Sequence, residues 1–227
     1  MTLPAALFET LRVRDGAVPL IEGHMRRLRE ASRSVGLAPP PETLGMVVLT
    51  WARERPDDHV LRLEWDGRDV AWSDRAVPAT GPVRVITASE PHPGYPVKSV
   101  GREAFDRALA QAEAAGADEP LLLAVGGFVA ETARFAVAWL DGDRLRVPDL
   151  ALGILPSVGR ARLLDLAAGA AGLAVEAGRY PRAALAGKAV LLVNAVRGPL
   201  AVASLDGAQL PDVEALARLG QDFWPAT

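Results

Sequence analysis

Residues 150–167, LALGILPSVGRARLLDLA, have the form of a strand end, a loop and the start of a helix. Ser157 is a residue type that caps helices, so the pattern predicts a helix from Val158 to about Gly172. The backbone N–H groups of Val158 and Gly159 would then lie at the positive end of the helix dipole without partners inside the helix. Every helix N-terminus has these properties, but here they indicate a candidate site for an anion such as phosphate.

Upstream of this segment, Glu131 lies in FVAETARFAVAW (128–139), between two hydrophobic stretches. A carboxylate in apolar surroundings is usually at a turn or held by a partner. Two interpretations follow for Glu131. It forms an ion pair with nearby Arg134, or it is held against a cationic ring nitrogen of a ligand.

Lysine is scarce in this chain: Lys98 and Lys188 are the two lysines, and the other 23 of the 25 basic residues are arginine. Arginine cannot replace a lysine that must lose its proton to act as a nucleophile. Lys98 follows SEPHPGYP (89–96), a proline-rich stretch that indicates an interdomain connector, and pockets tend to form between domains. Lys188 precedes a strand, where a surface position is the simpler interpretation.

Hydrophobic periodicity and turn residues divide the chain into a small α+β domain (1–88), a connector (89–97) and a larger domain (98–227). The first domain is predicted to hold strands at 7–14, 60–65, 70–73 and 83–87 and helices at 21–35 and 41–54. The second is predicted to hold helices at 102–115, 158–172 and 212–220 and strands at 121–125, 128–130, 135–140, 144–147, 189–193 and 200–204.

The composition argues against several classes of protein. Half of the residues are hydrophobic, the formal net charge is −3, and cysteine is absent, so the chain lacks the basic footprint of a nucleic-acid binder. The longest apolar runs are too short to span a bilayer, and the N-terminus does not resemble a secretory signal. Three scattered histidines and no thiol do not indicate a metal centre. We expect a cytoplasmic protein without nucleic-acid or membrane partners.

The strand LFETLRV (7–13) carries polar side chains at alternating positions. A period of two places Phe8, Thr10 and Arg12 on one face and Glu9 on the other. A hydroxyl and a guanidinium side by side would suit a polar pocket, although an exposed strand face explains them equally simply.

The helix that contains HMRRLREASR (24–33) is rich in arginine, most of which must face solvent. Arg27 borders the apolar stripe of the helix, so its guanidinium could reach an anion. For His24, on the same helix, a structural role is the simpler interpretation.

The order and spacing of these segments resemble the class IV aminotransferases, the fold-type IV pyridoxal-phosphate enzymes. The resemblance rests on FETLRVRDG (8–16), HMRRLREAS (24–32), VKSVGR (97–102), GADEPLLLAVGGFVAET (116–132), LALGILPSVGRARLLDLA (150–167) and VNAVRGPLAVASLDG (193–207). It covers nearly the whole chain. It implies a two-domain α+β / α/β fold whose larger domain has a β-barrel-like core, and it implies a homodimer.

The resemblance also implies roles for matching residues. Lys98 would bind the aldehyde of pyridoxal 5′-phosphate and shuttle a proton, while Glu131 would pair with the pyridinium nitrogen. Arg27 would contact the phosphate. The rest of the phosphate cradle would come from Ser157, Val158, Gly159 and the region of Ala195.

The chain departs from the family pattern in three places. It begins almost at the FET segment, where family members usually have further residues. Ala136 stands where asparagine is common. Val158-Gly159-Arg160 stands where Ile-Thr-Arg is common, which would remove a hydroxyl contact to the phosphate.

Within the family, the motifs are most similar to those of 4-amino-4-deoxychorismate lyase. That activity would need an anionic small-molecule substrate, with Arg12 and Arg197 as its binding cations. Lys98 would remove the proton from the amine-bearing carbon, and Thr10 would assist proton delivery. The alternatives are a branched-chain or D-amino-acid aminotransferase, and a family relative that has lost catalysis and acts as a binding protein.

Overall fold

The first layer of the molecule is a three-stranded antiparallel sheet with two helices on one face. The computed structural model describes residues 4–169, 171–212 and 219–225. The elements of this layer are β1 (Leu7–Val13), α1 (Ile21–Ser34), α2 (Leu44–Arg53), β2 (His59–Trp65) and β3 (Val70–Ala76), with sheet order β1-β2-β3. Leu11, Leu28 and Leu63 are buried between the sheet and the helices. The other face carries Thr10 opposite Arg62.

The remaining strands form a nine-stranded sheet that closes into a barrel. In chain order the elements are β4 (Val83–Thr87), α3 (Glu103–Ala114), β5 (Glu119–Ala124), β6 (Phe128–Thr132), β7 (Ala136–Asp141), β8 (Arg144–Pro148), α4 (Val158–Ala168), β9 (Ala174–Gly178), β10 (Ala189–Asn194), β11 (Gly198–Leu205) and β12 (Ala208–Gln209). The order β10-β11-β4-β5-β6-β7 becomes a ring of six strands because β7 also pairs with β10. The predicted mixed fold with a barrel core is confirmed.

Alternation along the barrel strands separates two cores. Leu121, Trp139 and Val190 fill the interior of the barrel. Ala138 and Leu191 point outward and pack with residues of α4. Side chains alternate along each barrel strand, so one set fills the interior and the other set packs α4 against the outer wall.

Two strands differ from the sequence predictions. β4 pairs with β5 and β11, so it belongs to the barrel, whereas the division at residue 88 grouped it with the first sheet. β9 pairs with β8 where no strand was predicted. α4 also ends at Ala168 rather than near Gly172. The predicted helix at 212–220 falls mostly on residues outside those described.

The segment after the connector joins the two sheets. The amide of Phe8 donates to the carbonyl of Lys98 (2.8 Å), and the amide of Val100 donates to that of Ala6 (3.1 Å). This pairing runs residues 98–100 alongside β1 and places Lys98 where the first sheet meets the barrel. None of the helices described here is long and apolar enough to cross a membrane.

Candidate active site

A cavity of about 300 Å³ lies between the first sheet and the barrel. Its walls come from the first sheet, α1, the segment around Lys98, the β6–β7 connection, the N-terminus of α4 and the loop after β10. The predicted site residues that line it are Thr10, Arg27, Lys98, Glu131, Ser157, Val158, Gly159, Ala195 and Arg197. Residues distant in sequence thus converge on one space.

Lys98 has the surroundings of a reactive amine. Its Nζ lies 4.4 Å from the centroid of the Phe8 ring. Burial lowers the pKa of Lys98 to about 7, and the positive charge of Arg27 acts in the same direction. A large share of the amine is therefore uncharged at neutral pH. Lys188, in contrast, pairs with Asp141 (2.6 Å) at the surface and is not part of the cavity wall.

Glu131 is buried and held by two donors. Nδ1 of His92 accepts the amide hydrogen of Gly94 (3.1 Å), so the ring proton sits on Nε2, which donates to Glu131 Oε1 (2.8 Å). The amide of Leu155 donates to the same oxygen (3.2 Å). Arg134 pairs with another carboxylate, that of Glu119, so the sequence-based alternative of a Glu131–Arg134 ion pair is wrong.

The N-terminus of α4 meets the loop after β10. The hydroxyl of Ser157 accepts the amide hydrogen of Arg160 (3.3 Å), which is the predicted helix cap. A Cβ on residue 159 would lie 2.5 Å from the carbonyl carbon of Asn194 and 2.8 Å from the nitrogen of Ala195. Glycine is therefore needed at position 159 because the backbone of the loop comes close, and a threonine there would displace that backbone.

Arg27 is oriented by a buried carboxylate that the sequence analysis did not select. Its Nε donates to Glu9 Oε1 (2.8 Å), a second nitrogen bonds Glu9 Oε2, and Nη1 donates to the carbonyl of Pro156 (3.3 Å). Nδ1 of His24 also bonds Glu9 Oε2 (2.7 Å). Burial alone would raise the pKa of Glu9, but the charge of Arg27 and the bond from His24 outweigh it and lower that pKa to about 2.

Arg12 does not line the cavity, contrary to its predicted contact with substrate. Its guanidinium forms an ion pair with Asp58 and donates to the carbonyl of Val196 (3.1 Å). The sheet geometry explains this outcome. Arg12 lies near the end of β1, where it pairs with Val60, whereas Thr10 pairs with Arg62. Arg12 holds the loop after β10 instead of reaching into the cavity.

Another part of the cavity wall combines cations with aromatic rings. Arg62, opposite Thr10 in the sheet, lies 3.8 Å from the centroid of Phe8. Arg197 lies 5.4 Å from the centroid of Phe135, and its buried Nε has no hydrogen-bond partner among the described residues. Arg62 also donates to Glu64 (2.7 Å), whereas Arg197 forms no ion pair among the described residues and remains available to a ligand.

The model of the family described as amino-transferase class IV matches residues 6–205. The chain belongs to this family. A search of curated protein sequences finds no match.

Solved structures of class IV proteins share the fold. A protein provisionally named 4-amino-4-deoxychorismate lyase is 27% identical, with a TM-score of 0.83 over 98% of this chain and 91% of its own. A hypothetical aminotransferase from Mycobacterium tuberculosis, in its PLP-bound form, is 24% identical, with a TM-score of 0.84 over 97% of this chain and 89% of its own. The branched-chain aminotransferase of Escherichia coli is 19% identical, with a TM-score of 0.86 over 97% and 84%.

The class IV family consists of pyridoxal-phosphate-dependent enzymes, which confirms the predicted cofactor. The cavity fits that group. Lys98 offers an uncharged amine for its aldehyde, and Glu131 is a fixed carboxylate for its ring nitrogen. The N-terminus of α4 and Arg27 suit its phosphate, and His24 lines the same cavity with a buried Nε2 that has no partner among the described residues.

In this class IV chain, the partners that hold the site residues are not apparent from local sequence patterns. Glu9 carried a signal, because a carboxylate between the apolar Leu7 and Leu11 on the inner face of a strand requires a partner. His92 lies 39 residues from Glu131 in sequence. The connector that holds His92 follows β4, and β4 pairs with β5, which in turn pairs with β6. This strand pairing brings His92 close to Glu131, and no local sequence pattern reveals it.

Proposed function

We propose that this chain is a pyridoxal-phosphate-dependent 4-amino-4-deoxychorismate lyase, which forms 4-aminobenzoate and pyruvate on the way to folate. The observation that carries the proposal is the charge of the cavity. Glu131 is the acidic side chain among its described lining residues. The basic ones are Arg27, Arg62, Arg75, Lys98, Arg102, Arg134 and Arg197.

Three of these arginines, Arg75, Arg102 and Arg197, form no ion pair with an acidic side chain in the described part of the chain. Arg102 instead lies 4.6 Å from the centroid of Phe105 and donates to the carbonyl of Ala133. Such cations suit a substrate with two carboxylates, since guanidinium groups bind carboxylates through paired hydrogen bonds. A branched-chain amino acid has a single carboxylate and an apolar side chain, so it would engage fewer of these cations.

The residues divide the work of the proposed elimination. When bound, pyridoxal phosphate supplies an electron sink for the carbon that carries the substrate's amino group. Lys98 Nζ takes the proton from that ring carbon, because its lowered pKa leaves it uncharged near neutral pH. Glu131, held in place by His92 and the amide of Leu155, stabilises positive charge beside it. The ring becomes aromatic as enolpyruvate departs. The proton that Lys98 took then returns, through the hydroxyl of Thr10, to the enolpyruvate carbon, which gives pyruvate.

The test is incubation of the purified chain with 4-amino-4-deoxychorismate and no amino acceptor, with assays for pyruvate and 4-aminobenzoate. We expect equal amounts of both products from the natural chain and from Lys188→Ala, and neither from Lys98→Ala. An aminotransferase would give no pyruvate here. It would instead move an amino group from an amino acid to 2-oxoglutarate, and that outcome would replace the proposal.

Two further expectations accompany the proposal. The family resemblance implies a homodimer, and the composition favours a cytoplasmic setting. Light scattering of the purified chain tests the first of these directly.

A further inference from the structure

His24 lines the cavity, and one of its ring nitrogens has no hydrogen-bond partner among the described residues. Glu9 is ionised and only accepts hydrogen bonds, so the proton on the His24 ring must lie on Nδ1, which donates to it at 2.7 Å. Burial lowers the pKa of His24, so the ring is neutral. Its Nε2 is then an unprotonated acceptor. It is buried, in a residue that is 1% exposed, and has no hydrogen-bond partner among the described residues.

The helix packing places this nitrogen at the anion end of the cavity. A Cβ on Gly23 would lie 3.0 Å from Cγ1 of Val158, so α1 abuts the first turn of α4 at the residue next to His24. His24 and Arg27 line the cavity together with Ser157 and Val158. The bare nitrogen and the helix N-terminus therefore serve the same space.

A bare lone pair beside a phosphate would repel it, whereas a protonated nitrogen would bind it. We propose that His24 is a ligand of the anion at the N-terminus of α4, and that it takes up one proton when a phosphate dianion binds. The proton comes from solvent, no covalent bond is broken, and Nε2–H donates to a phosphate oxygen. Arg27 and the first-turn amides of α4 supply the other donors.

The charged groups around His24 come from three elements. Glu9 on β1 favours the protonated ring, while Arg27 on α1 and Lys98 beside β1 oppose it. Without an anion the two cations and burial keep the ring neutral. A dianion at the N-terminus of α4 adds negative charge near Nε2 and reverses this balance. The proposal depends on the cofactor site and holds for a lyase and for an aminotransferase alike.

The test uses the full chain freed of cofactor, with inorganic phosphate as the probe. Histidine NMR is well suited because the chain has three histidines, and His59→Gln and His92→Phe assign the other two signals. We expect saturating phosphate to convert His24 from the neutral to the protonated form at neutral pH. A ring that stays neutral with phosphate bound would overturn the proposal, as would failure to bind phosphate at this site.

Calorimetry provides a second, independent readout. At about pH 8, where a phosphate group is mostly dianionic, titrations in buffers of different ionisation heat should show uptake of about one proton. Affinity should fall by up to about tenfold for each further pH unit. His24→Asn keeps an amide donor for Glu9 but removes Nε2, so it should bind phosphate more weakly and without proton uptake.

Two controls separate the possible outcomes. His59→Gln changes a partly exposed histidine on β2 and should keep the proton uptake. Equal proton uptake by His24→Asn and the natural chain would assign the proton elsewhere and overturn the proposal. If His24→Asn does not fold, the NMR titration of the natural chain still decides. Absence of lyase activity alone leaves this result unaffected, because neither readout involves catalysis.

Discussion

At the scale of single residues, Lys98 and Lys188 share a side chain but not an environment. Lys98 lies in the cavity beside Phe8, whereas Lys188 forms a partly exposed ion pair. We expect Lys98→Ala to lose covalent retention of pyridoxal phosphate and Lys188→Ala to keep it. Borohydride reduction followed by mass spectrometry of the intact chain measures this. Cofactor fixed to Lys98→Ala would show that another group makes the bond.

The lowered pKa of Lys98, about 7, also sets a pH dependence. Below this pH the amine is increasingly protonated and cannot attack an aldehyde. In cofactor-free protein, the rate of covalent cofactor attachment should therefore fall by about tenfold per pH unit below 7 and level off above it. Stopped-flow absorbance measures the rate. A rate that keeps rising to pH 10 would indicate an ordinary lysine pKa.

The hydrogen bond from His92 to Glu131 can be tested by substitution. His92→Phe keeps the edge contact that His92 makes with Phe105 but removes its hydrogen bond to the carboxylate. Leaving a buried acceptor without its donor should cost about 1–3 kcal/mol of unfolding free energy, measured by urea denaturation. His59→Phe is the matched control because that ring is partly exposed and should cost little. Equal losses in both variants would contradict the role of His92.

The sequence predicted the residues with distinctive chemistry and missed those defined by position. Lys98 stood out because lysine is scarce, and Glu131 because its neighbours are apolar. Arg12 has the same side chain as Arg197 and was assigned the same task. Its place near the end of β1 turns it toward Val196 instead. The direction of a long side chain depends on the hydrogen-bond acceptors and charges that a neighbouring element supplies. No local sequence pattern contains this information.

At the scale of elements, the positions of strands were easier to predict than the strands with which they pair. β4 was predicted at its observed position, 83–87, but whether a strand joins one sheet or another depends on pairings with residues far along the chain. β9 was missed because Ala174, Val175 and Ala177 are exposed, so this strand lacks the apolar alternation that marks a half-buried one.

The contact between α4 and the loop after β10 gives a prediction at this scale. Gly159→Ala would force backbone atoms 2.5–2.8 Å from the new Cβ to move. We expect roughly 1–3 kcal/mol of destabilisation and weaker cofactor binding, because the first turn and Ala195 would separate. Gly101→Ala is the control, since its Cβ would find ordinary contact at 3.7 Å. Denaturant unfolding and cofactor titration check both variants; unchanged affinity in Gly159→Ala would contradict the close approach.

At the scale of the whole molecule, charge is distributed unevenly. The chain carries a net charge of −3, yet its cavity is lined by seven basic side chains and one acidic one among the described residues. A basic cavity within an acidic protein concentrates anionic substrate by a field that salt screens. The overall charge therefore does not describe what the substrate meets.

The contrast between a basic cavity and an acidic protein predicts how salt affects the turnover of a dianionic substrate. Raising the ionic strength from about 0.01 to 0.1 M shortens the screening length from about 30 to 10 Å, so kcat/KM should fall while kcat changes little. Arg75→Ala should flatten this dependence because Arg75 lines the cavity. Arg68→Ala removes the same charge from the turn between β2 and β3, at a side chain that is 90% exposed and outside the cavity, so it should preserve the dependence. Steady-state kinetics across this salt range measure the effect. If kcat/KM fell equally with ionic strength in the two variants, net charge rather than the cavity would attract the substrate.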